Sequence, residues 1–93
     1  MYYVYILLLN NNNLYTGMTA DLEERFKDHS YGKVKSTRNF RPLKMIHNES
    51  YILKSDAMRR EKFLKTTEGK RLLRQQIRDI LNKYIDDNSR AVT

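Results

Sequence analysis

Two short apolar segments, each built around a tyrosine, open the chain, and four asparagines separate them. The first segment spans residues 2–9 and contains Tyr5, and the second spans residues 14–18 and contains Tyr15. Aromatic and aliphatic residues of this kind favour strands, and asparagine tolerates the left-handed backbone angles of tight turns. We therefore expect an N-terminal β-hairpin with residues 10–13 as its loop.

The segment after the hairpin has the pattern of an amphipathic helix. Thr19 can cap a helix that runs over residues 20–30, and Gly32 is suited to end it. At 100° per residue, Arg25 and His29 lie one turn apart and border the apolar side of this helix. We expect both side chains to reach over the core toward the hairpin.

The rest of the chain predicts one more strand and two more helices. Residues 43–51 alternate as a third strand, with Met45 and His47 on the same side. A second helix is predicted to begin at a Ser55 cap and to end near residue 65, and a third covers residues 70–85.

Length and composition limit the classes of protein that are possible. With 93 residues, the chain has room for one domain with a small core, which we place at residues 1–85, followed by a frayed tail at 86–93. The absence of cysteine excludes disulfides, thiolate metal sites and cysteine nucleophiles, and fits a cytoplasmic location. The apolar N-terminus is far shorter than the roughly 20 residues of a membrane span and lacks signal-peptide features, so we expect no membrane association.

Positive charge is concentrated in the middle of the chain. The net charge is +7, but residues 33–78 alone hold fourteen lysines and arginines against four carboxylates. Such a concentration attracts a polyanion, most often a nucleic acid, although a merely soluble basic surface has the same composition. The candidates for contacts with a nucleic-acid backbone are Lys33, Lys35, Arg38, Arg41, Arg71, Arg74 and Arg78, with Ser36, Thr37 and Asn39 as further donors to phosphate.

One carboxylate interrupts the apolar stripe of the predicted second helix. Ala57, Glu61 and Leu64 share one side of this helix, so Glu61 points where an apolar residue is expected. A phosphodiester hydrolase needs a group that orients or deprotonates water, positive charge near the phosphate and help for the departing oxygen. Tyr5, Tyr15, Arg25, His29 and Glu61 can supply these groups together. Each also has an ordinary structural explanation, such as a core tyrosine or a helix ion pair.

The order and spacing of these residues resemble the GIY-YIG nuclease superfamily. Tyr3-Val4-Tyr5 stands where that family has Gly-Ile-Tyr, with Tyr3 in place of the glycine, and Tyr15-Thr16-Gly17 stands where it has Tyr-Ile-Gly. The family's arginine, histidine and metal-binding glutamate fall on Arg25, His29 and Glu61. The chain is most similar to the small single-domain bacterial branch, related to the N-terminal nuclease domain of the repair protein UvrC.

This resemblance implies a fold and a chemistry. The implied fold is an α+β domain in which a three-stranded antiparallel sheet is flanked by about three helices. The implied activity is DNA cleavage that depends on one Mg²⁺ or Mn²⁺ ion held by Glu61. Arg25 would clamp the phosphate, His29 would relay a proton, and either Tyr5 or Tyr15 would act on the attacking water. Gly17 is expected to provide a structural turn into the first helix.

Three functions remain compatible with the sequence. The leading one is a metal-dependent DNA endonuclease that acts in DNA repair or processing. The second is a nucleic-acid-binding module whose catalysis is weak or absent, and the third is a protein-interaction domain recruited by a partner. The sequence leaves the preferred substrate, the catalytic tyrosine and the oligomeric state open.

Overall fold

A computed structural model describes the backbone of residues 1–92 and the side chains of residues 1–85. Three strands and four α-helices are present in this part of the chain, which confirms the α+β class. In chain order they are β1 (Tyr2–Leu8), β2 (Leu14–Thr19), α1 (Leu22–Ser30), β3 (Lys44–Tyr51), α2 (Lys54–Leu64), α3 (Thr67–Gln76) and α4 (Arg78–Val92). The side chains of the predicted tail, 86–93, lie outside the described residues, so the division into domain and tail stays a prediction.

The three strands form one antiparallel sheet in the order β2-β1-β3. β1 is therefore the central strand, and its residues from Val4 to Leu8 are all buried. In the hairpin register Tyr5 lies opposite Gly17, and Leu7 lies opposite Tyr15. The predicted hairpin and the predicted third strand are both confirmed.

Different helices cover the two faces of the sheet. On the face that carries Tyr5 and Leu7, the side chains of β1 pack against α1. On the face that carries Val4 and Ile6, they pack against α2, α3 and α4. β1 thus contributes alternate residues to two cores, which explains why its sequence is a continuous apolar run.

β3 contains an irregularity that the alternation of its sequence does not reveal. The pairing with β1 shifts between Ile6 and Leu7, so that Ile6 lies opposite His47 but Leu7 lies opposite Met45. The extra residue, Ile46, packs in the core beneath α2. The prediction that Met45 and His47 share one side is wrong, because a bulge reverses the alternation between them.

The helix ends also differ from the predictions. Asp21, rather than Thr19, caps α1, since its Oδ1 accepts a hydrogen bond from the backbone N–H of Glu24 at 3.1 Å. α2 begins one residue before Ser55, with no side-chain cap. No helix in the described part of the chain is long and apolar enough to cross a membrane.

The predicted third helix is two helices, which meet at Ile77. A straight helix over residues 67–92 would extend about 39 Å, well beyond the roughly 23 Å length of the seven-residue strand β1. The break at Ile77, with φ −108° and ψ 27°, lets Leu73 and Leu81 reach the same core.

Gly17 lies inside β2, and the prediction that it forms a turn is wrong. The residue faces Tyr5 across the strands, and a Cβ atom at position 17 would collide with the hydroxyl and Cζ of Tyr5. The missing side chain is therefore what allows the Tyr5 ring to lie across β2.

A half-buried carboxylate joins β3 to α2. Glu49 accepts two hydrogen bonds from Arg60, from Nε at 2.9 Å and from Nη2 at 3.2 Å. It also accepts one from the Tyr51 hydroxyl at 2.7 Å, and Nε2 of His47 lies 3.0 Å away. Burial raises the pKa of Glu49, but the hydrogen bonds from Arg60, His47 and Tyr51 outweigh it and lower the pKa to about 2. Arg60 directly precedes Glu61 in α2, so the Glu49–Arg60 ion pair also orients the part of the helix that carries Glu61.

Glu49→Gln is expected to destabilise the protein by on the order of 3 kcal/mol at pH 7, since one pKa unit corresponds to about 1.4 kcal/mol. The folded-state pKa of about 2 lies below the ordinary 4.5. The contribution is therefore complete above pH 4.5 and is lost as the pH falls toward 2. Urea unfolding at several pH values measures both effects. Asp56→Asn, which breaks the exposed Asp56–Arg59 pair, is the control and should cost less than about 1 kcal/mol; equal losses in the two variants would contradict this account.

Gly17→Ala is expected to cost about 1–3 kcal/mol of unfolding free energy, the usual range for overpacking. The cost arises from the contact with the Tyr5 ring, so the same substitution should cost much less in a Tyr5→Leu background, where the outer ring atoms are gone. A double-mutant cycle in urea measures the difference. An identical cost in both backgrounds would show that the backbone at position 17, and not Tyr5, requires glycine.

Candidate active site

The structure brings Tyr5, Tyr15, Arg25 and His29 into one cluster at the interface of the hairpin and α1. The Tyr5 hydroxyl lies 2.9 Å from Nε2 of His29 and accepts a hydrogen bond from Nε of Arg25 at 3.3 Å. The Tyr15 ring meets the His29 ring edge-on, with 5.1 Å between their centroids, and lies 6.4 Å from the Tyr5 ring. Although Tyr5 and Arg25 are 20 positions apart along the chain, the four residues form a continuous group of contacts.

The local structure of α1 explains how two members of the cluster are placed. Arg25 and His29 are separated by four positions, so they project from the same side of the helix. After His29 the helix ends, and Gly32 adopts φ +77°, the left-handed conformation that glycine accepts readily. The chain then folds back and brings Thr37 beside the His29 ring.

Thr37 is a member of the site that the sequence analysis assigned to a different role. Its Oγ1 lies 2.7 Å from Nδ1 of His29, and both residues are completely buried. Because the residue is completely buried, its hydroxyl is not available to a phosphate, and the prediction that Thr37 is a donor to phosphate is wrong. A threonine eight positions after a histidine carries no recognisable pattern, so only the fold reveals this contact.

Hydrogen-bonding chemistry fixes the direction of each proton in this group. The Arg25 guanidinium can only donate, so it donates to the Tyr5 oxygen. The Tyr5 hydrogen must then point to another acceptor, and Nε2 of His29 is within reach. His29 is thereby a neutral ring with its own hydrogen on Nδ1, which it donates to Thr37. We call this chain of Arg25, Tyr5, His29 and Thr37 the Tyr5 relay.

The pKa directions agree with a neutral relay. Burial raises the pKa of Tyr5 above its ordinary 10.0, although the hydrogen bond from Arg25 acts against the rise. Burial, together with the nearby charge of Arg25, lowers the pKa of His29 below 6.5. At neutral pH the phenol therefore keeps its proton and the imidazole can accept one.

Solvent reaches the two sides of the cluster differently. Tyr5 is 1 % exposed and His29 is completely buried, whereas the side chain of Arg25 is 37 % exposed. Tyr15 is half-buried. Arg25 and Tyr15 are thus the members of the cluster that a substrate can meet, with Tyr5 and His29 buried behind them.

Glu61 lies on α2, near the relay. Its neighbours in the predicted stripe, Ala57 and Leu64, are buried in the core, while its own side chain is 25 % exposed and lies 3.5 Å from Nζ of Lys65. The carboxylate is close enough for its charge to contribute to the raised pKa of Tyr5. This side of α2 is therefore apolar at Ala57 and Leu64, and it carries the Glu61 carboxylate at its edge, near the relay.

The donor set around Glu61 fits a weakly held divalent ion. Within the residues that the structure describes, no three His, Asp or Glu side chains converge as a metal site. A single, partly exposed carboxylate suits Mg²⁺, which keeps several waters and is commonly bound through one or two carboxylates together with substrate phosphates. The residues present thus fit the ion that the resemblance implies.

The seven basic residues predicted to contact nucleic acid do not form one surface. Those between α1 and β3 lie on the same side of the sheet as α1, where Thr37 joins His29. The others belong to α3 and the first residue of α4, which pack on the opposite face. Arg41 donates to the backbone oxygens of Arg38 and Ser30, and Arg71 forms a two-bond pair with Glu68, so both are already engaged.

Comparison with known proteins gives the family. The family model that describes the GIY-YIG catalytic domain matches residues 1–75 of the sequence. A UPF0213 protein of Bacillus velezensis is 43 % identical over 92 residues, which cover 97 % of this chain and 83 % of that protein. A UPF0213 protein of the archaeon Haloquadratum walsbyi is 38 % identical over 82 residues, covering 85 % of this chain and 92 % of that protein.

A solved structure agrees with these matches. The solution NMR structure of a UPF0213 protein from Bacillus halodurans superposes with a TM-score of 0.54 at 35 % identity, covering 82 % of this chain and 85 % of that one. The likeness includes both sequence and fold, and the resemblance seen in the tyrosine motifs is confirmed. The chain therefore belongs to the GIY-YIG nuclease superfamily, in the small branch that the UPF0213 proteins represent.

Proposed function

We propose that this protein is an endonuclease that hydrolyses phosphodiester bonds in DNA with the help of one Mg²⁺ or Mn²⁺ ion. The observation that carries the proposal is the Tyr5 relay. A buried tyrosine in a sheet needs only one partner for its hydroxyl, but Tyr5 lies between a permanent cation and a neutral imidazole. That arrangement gives the hydroxyl an exit for its proton, which a purely structural tyrosine does not need.

Arg25 is the residue that binds the scissile phosphate. Its Nε is bonded to Tyr5, and Nη1 lies 3.9 Å from Asp28, a distance too long for a strong hydrogen bond. The outer nitrogens of the guanidinium are thus available to a phosphate, whose geometry matches the planar fork. The same side chain then connects the phosphate to the relay.

Tyr5 and His29 act together on the attacking water. As the water oxygen bonds to phosphorus and the bond from phosphorus to the 3′ oxygen breaks, one proton of the water passes to the Tyr5 oxygen and the Tyr5 proton passes to Nε2 of His29. The departing 3′ oxygen takes its proton from solvent. A preformed phenolate is not required, since the raised pKa of Tyr5 keeps the phenol neutral until the transfer. Because Tyr5 is 1 % exposed, the attacking water has to approach the phenol from the side of Arg25, the more exposed partner of its hydroxyl.

Tyr15 has a different task from Tyr5. It is half-buried and packs edge-on against His29, so its ring holds the imidazole in the plane that the relay needs. Because Tyr15 is only half-buried, part of its side chain meets solvent, where it can orient the water. This division of labour assigns the proton transfer to Tyr5 and the positioning to Tyr15.

Glu61 is the residue that would hold the divalent ion. When bound, the ion supplies positive charge that stabilises the departing 3′ oxygen. The partial exposure of Glu61 and its exposed partner Lys65 leave the carboxylate free to exchange its ion pair for a metal.

The positive charge of the middle of the chain supports DNA as the partner. Lys33, Lys35 and Arg38 lie close to Thr37 in the segment between α1 and β3. From there they can hold a DNA strand by its phosphates without reading its sequence. DNA repair or processing in the cytoplasm is the role that such an activity would serve.

Glu61→Ala is expected to abolish Mg²⁺-dependent nicking of plasmid DNA and to leave the circular dichroism spectrum unchanged. The reason is that Glu61 supplies the ion's protein ligand and contributes little to the core. Glu23→Ala is the matched control, because Glu23 is also a helix carboxylate paired with a lysine four positions away. The control should retain nearly full activity.

Two outcomes would contradict the proposal. Nicking that persists in Glu61→Ala, or that persists in excess chelator, would exclude the metal-dependent mechanism. Salt-sensitive DNA binding without cleavage of duplex, branched or single-stranded substrates would instead identify a binding module.

A further inference from the structure

A shallow, open cleft lies beside α2, away from the side of the helix that carries Glu61. Its volume is about 440 Å³, within the usual range of ligand sites. The residues that line it come from the end of β3 and from α2 and are Tyr51, Asp56, Arg59, Arg60 and Phe63. No step of the proposed reaction uses any of them.

The lining combines flat apolar surfaces with a polar edge. Carbon atoms form most of the cleft surface, to which Tyr51 and Phe63 contribute their rings. Arg59 donates from Nη1 to Oδ1 of Asp56 at 2.9 Å, and both side chains are exposed, so the other N–H groups of Arg59 and the second oxygen of Asp56 lie side by side. An apolar surface beside a donor and an acceptor matches a heteroaromatic ring that has acceptors and donors along one edge. In a nucleic acid, the nucleobases are such rings.

The cleft is preformed on rigid parts of the fold. The Arg60 guanidinium lies 5.7 Å from the centre of the Phe63 ring and is held there by its two hydrogen bonds to Glu49. The Tyr51 ring is fixed in turn, because its hydroxyl donates to the same carboxylate. Glu49 therefore orients two walls of the cleft, so little ordering would accompany the binding of a ligand.

The cleft is also close to the proposed metal ligand. Arg60 and Glu61 are consecutive residues of α2, with Cα atoms about 3.8 Å apart. Arg60 projects toward the cleft, and Glu61 projects toward the relay. A strand whose phosphate lies at Arg25 and Glu61 would therefore pass near the cleft within a few nucleotides.

We propose that this cleft binds one unpaired nucleobase of the nucleic acid that the enzyme acts on. The base stacks on Phe63 and Tyr51, and its polar edge meets Arg59 and Asp56. A paired base is excluded, since its edge is occupied and its faces are covered by its neighbours. The inference rests on the proposed function, because a nucleic acid must lie along α2 for its base to enter.

The test compares two strands that differ only in their bases. One is a short single-stranded DNA oligonucleotide of mixed sequence, and the other is its abasic counterpart with the same number of phosphates. Binding is measured by fluorescence anisotropy in excess chelator, so that no cleavage occurs. The wild type is expected to bind the strand with bases about tenfold more tightly, as one stacked base provides.

Three variants locate this preference. Phe63→Leu keeps an apolar side chain without a flat ring and should lose most of the preference while its affinity for the abasic strand stays unchanged. Phe63→Tyr retains the ring and should retain the preference. Phe40→Leu is the matched control, since Phe40 and Phe63 are each 36 % exposed and Phe40 lies outside the cleft.

The inference is overturned if the wild type binds both strands equally, or if Phe63→Leu weakens both by the same factor. If the cleft binds a protein segment instead, all the variants will keep the wild-type ratio of affinities for the two strands, and this result also overturns the inference. These outcomes leave the nuclease proposal standing, because cleavage is measured separately with Glu61→Ala. Loss of cleavage dependence on Glu61, with the base preference intact, would overturn only the nuclease mechanism.

Discussion

The hydroxyl of Tyr5 is the group on which the site depends. A buried hydroxyl without partners is costly, and this one has a guanidinium on one side and an imidazole on the other. Since a guanidinium cannot accept a hydrogen bond, the Tyr5 hydroxyl donates to Nε2 of His29, and the His29 ring carries its own hydrogen on Nδ1. Thr37 accepts that hydrogen in the buried interior. One satisfied hydroxyl thus orders side chains from a strand, a helix and a loop, and leaves them in the protonation states that proton transfer needs.

The fold supplies this geometry through two features that take no part in the proposed reaction. Gly17 leaves space across β2 for the Tyr5 ring. Glu49 ties β3 to Arg60 of α2, and the neighbouring Glu61 is thereby directed to the relay side of the helix. The same carboxylate shapes the cleft on the other side of α2, so the half-buried Glu49–Arg60 ion pair both positions the metal ligand and preforms the proposed base site.

The sequence predicted the elements better than their exact relationships. The hairpin and the placement of Arg25 and His29 toward it follow from local patterns, namely strand-forming segments around an asparagine loop and a four-residue helical spacing. The bulge at Ile46, the break at Ile77 and the role of Gly17 depend on partners distant in sequence, so alternation and helical periodicity carry no signal for them. The contact of His29 with Thr37 was missed for the same reason. The proposal that Tyr5 transfers the proton depends on the two partners of its hydroxyl, which only the fold brings together.

The charge and tautomer of His29 test the central claim most directly. Nitrogen NMR of the imidazole groups over a pH series reports both, and the chain has only two histidines, so a His47→Asn variant assigns the signals. The account predicts a neutral His29 ring at pH 7 with its hydrogen on Nδ1, and protonation only below the ordinary value of 6.5, because burial and Arg25 lower its pKa. A hydrogen on Nε2, or a ring that is charged at pH 7, would show that Tyr5 has no acceptor for its proton and would contradict the relay.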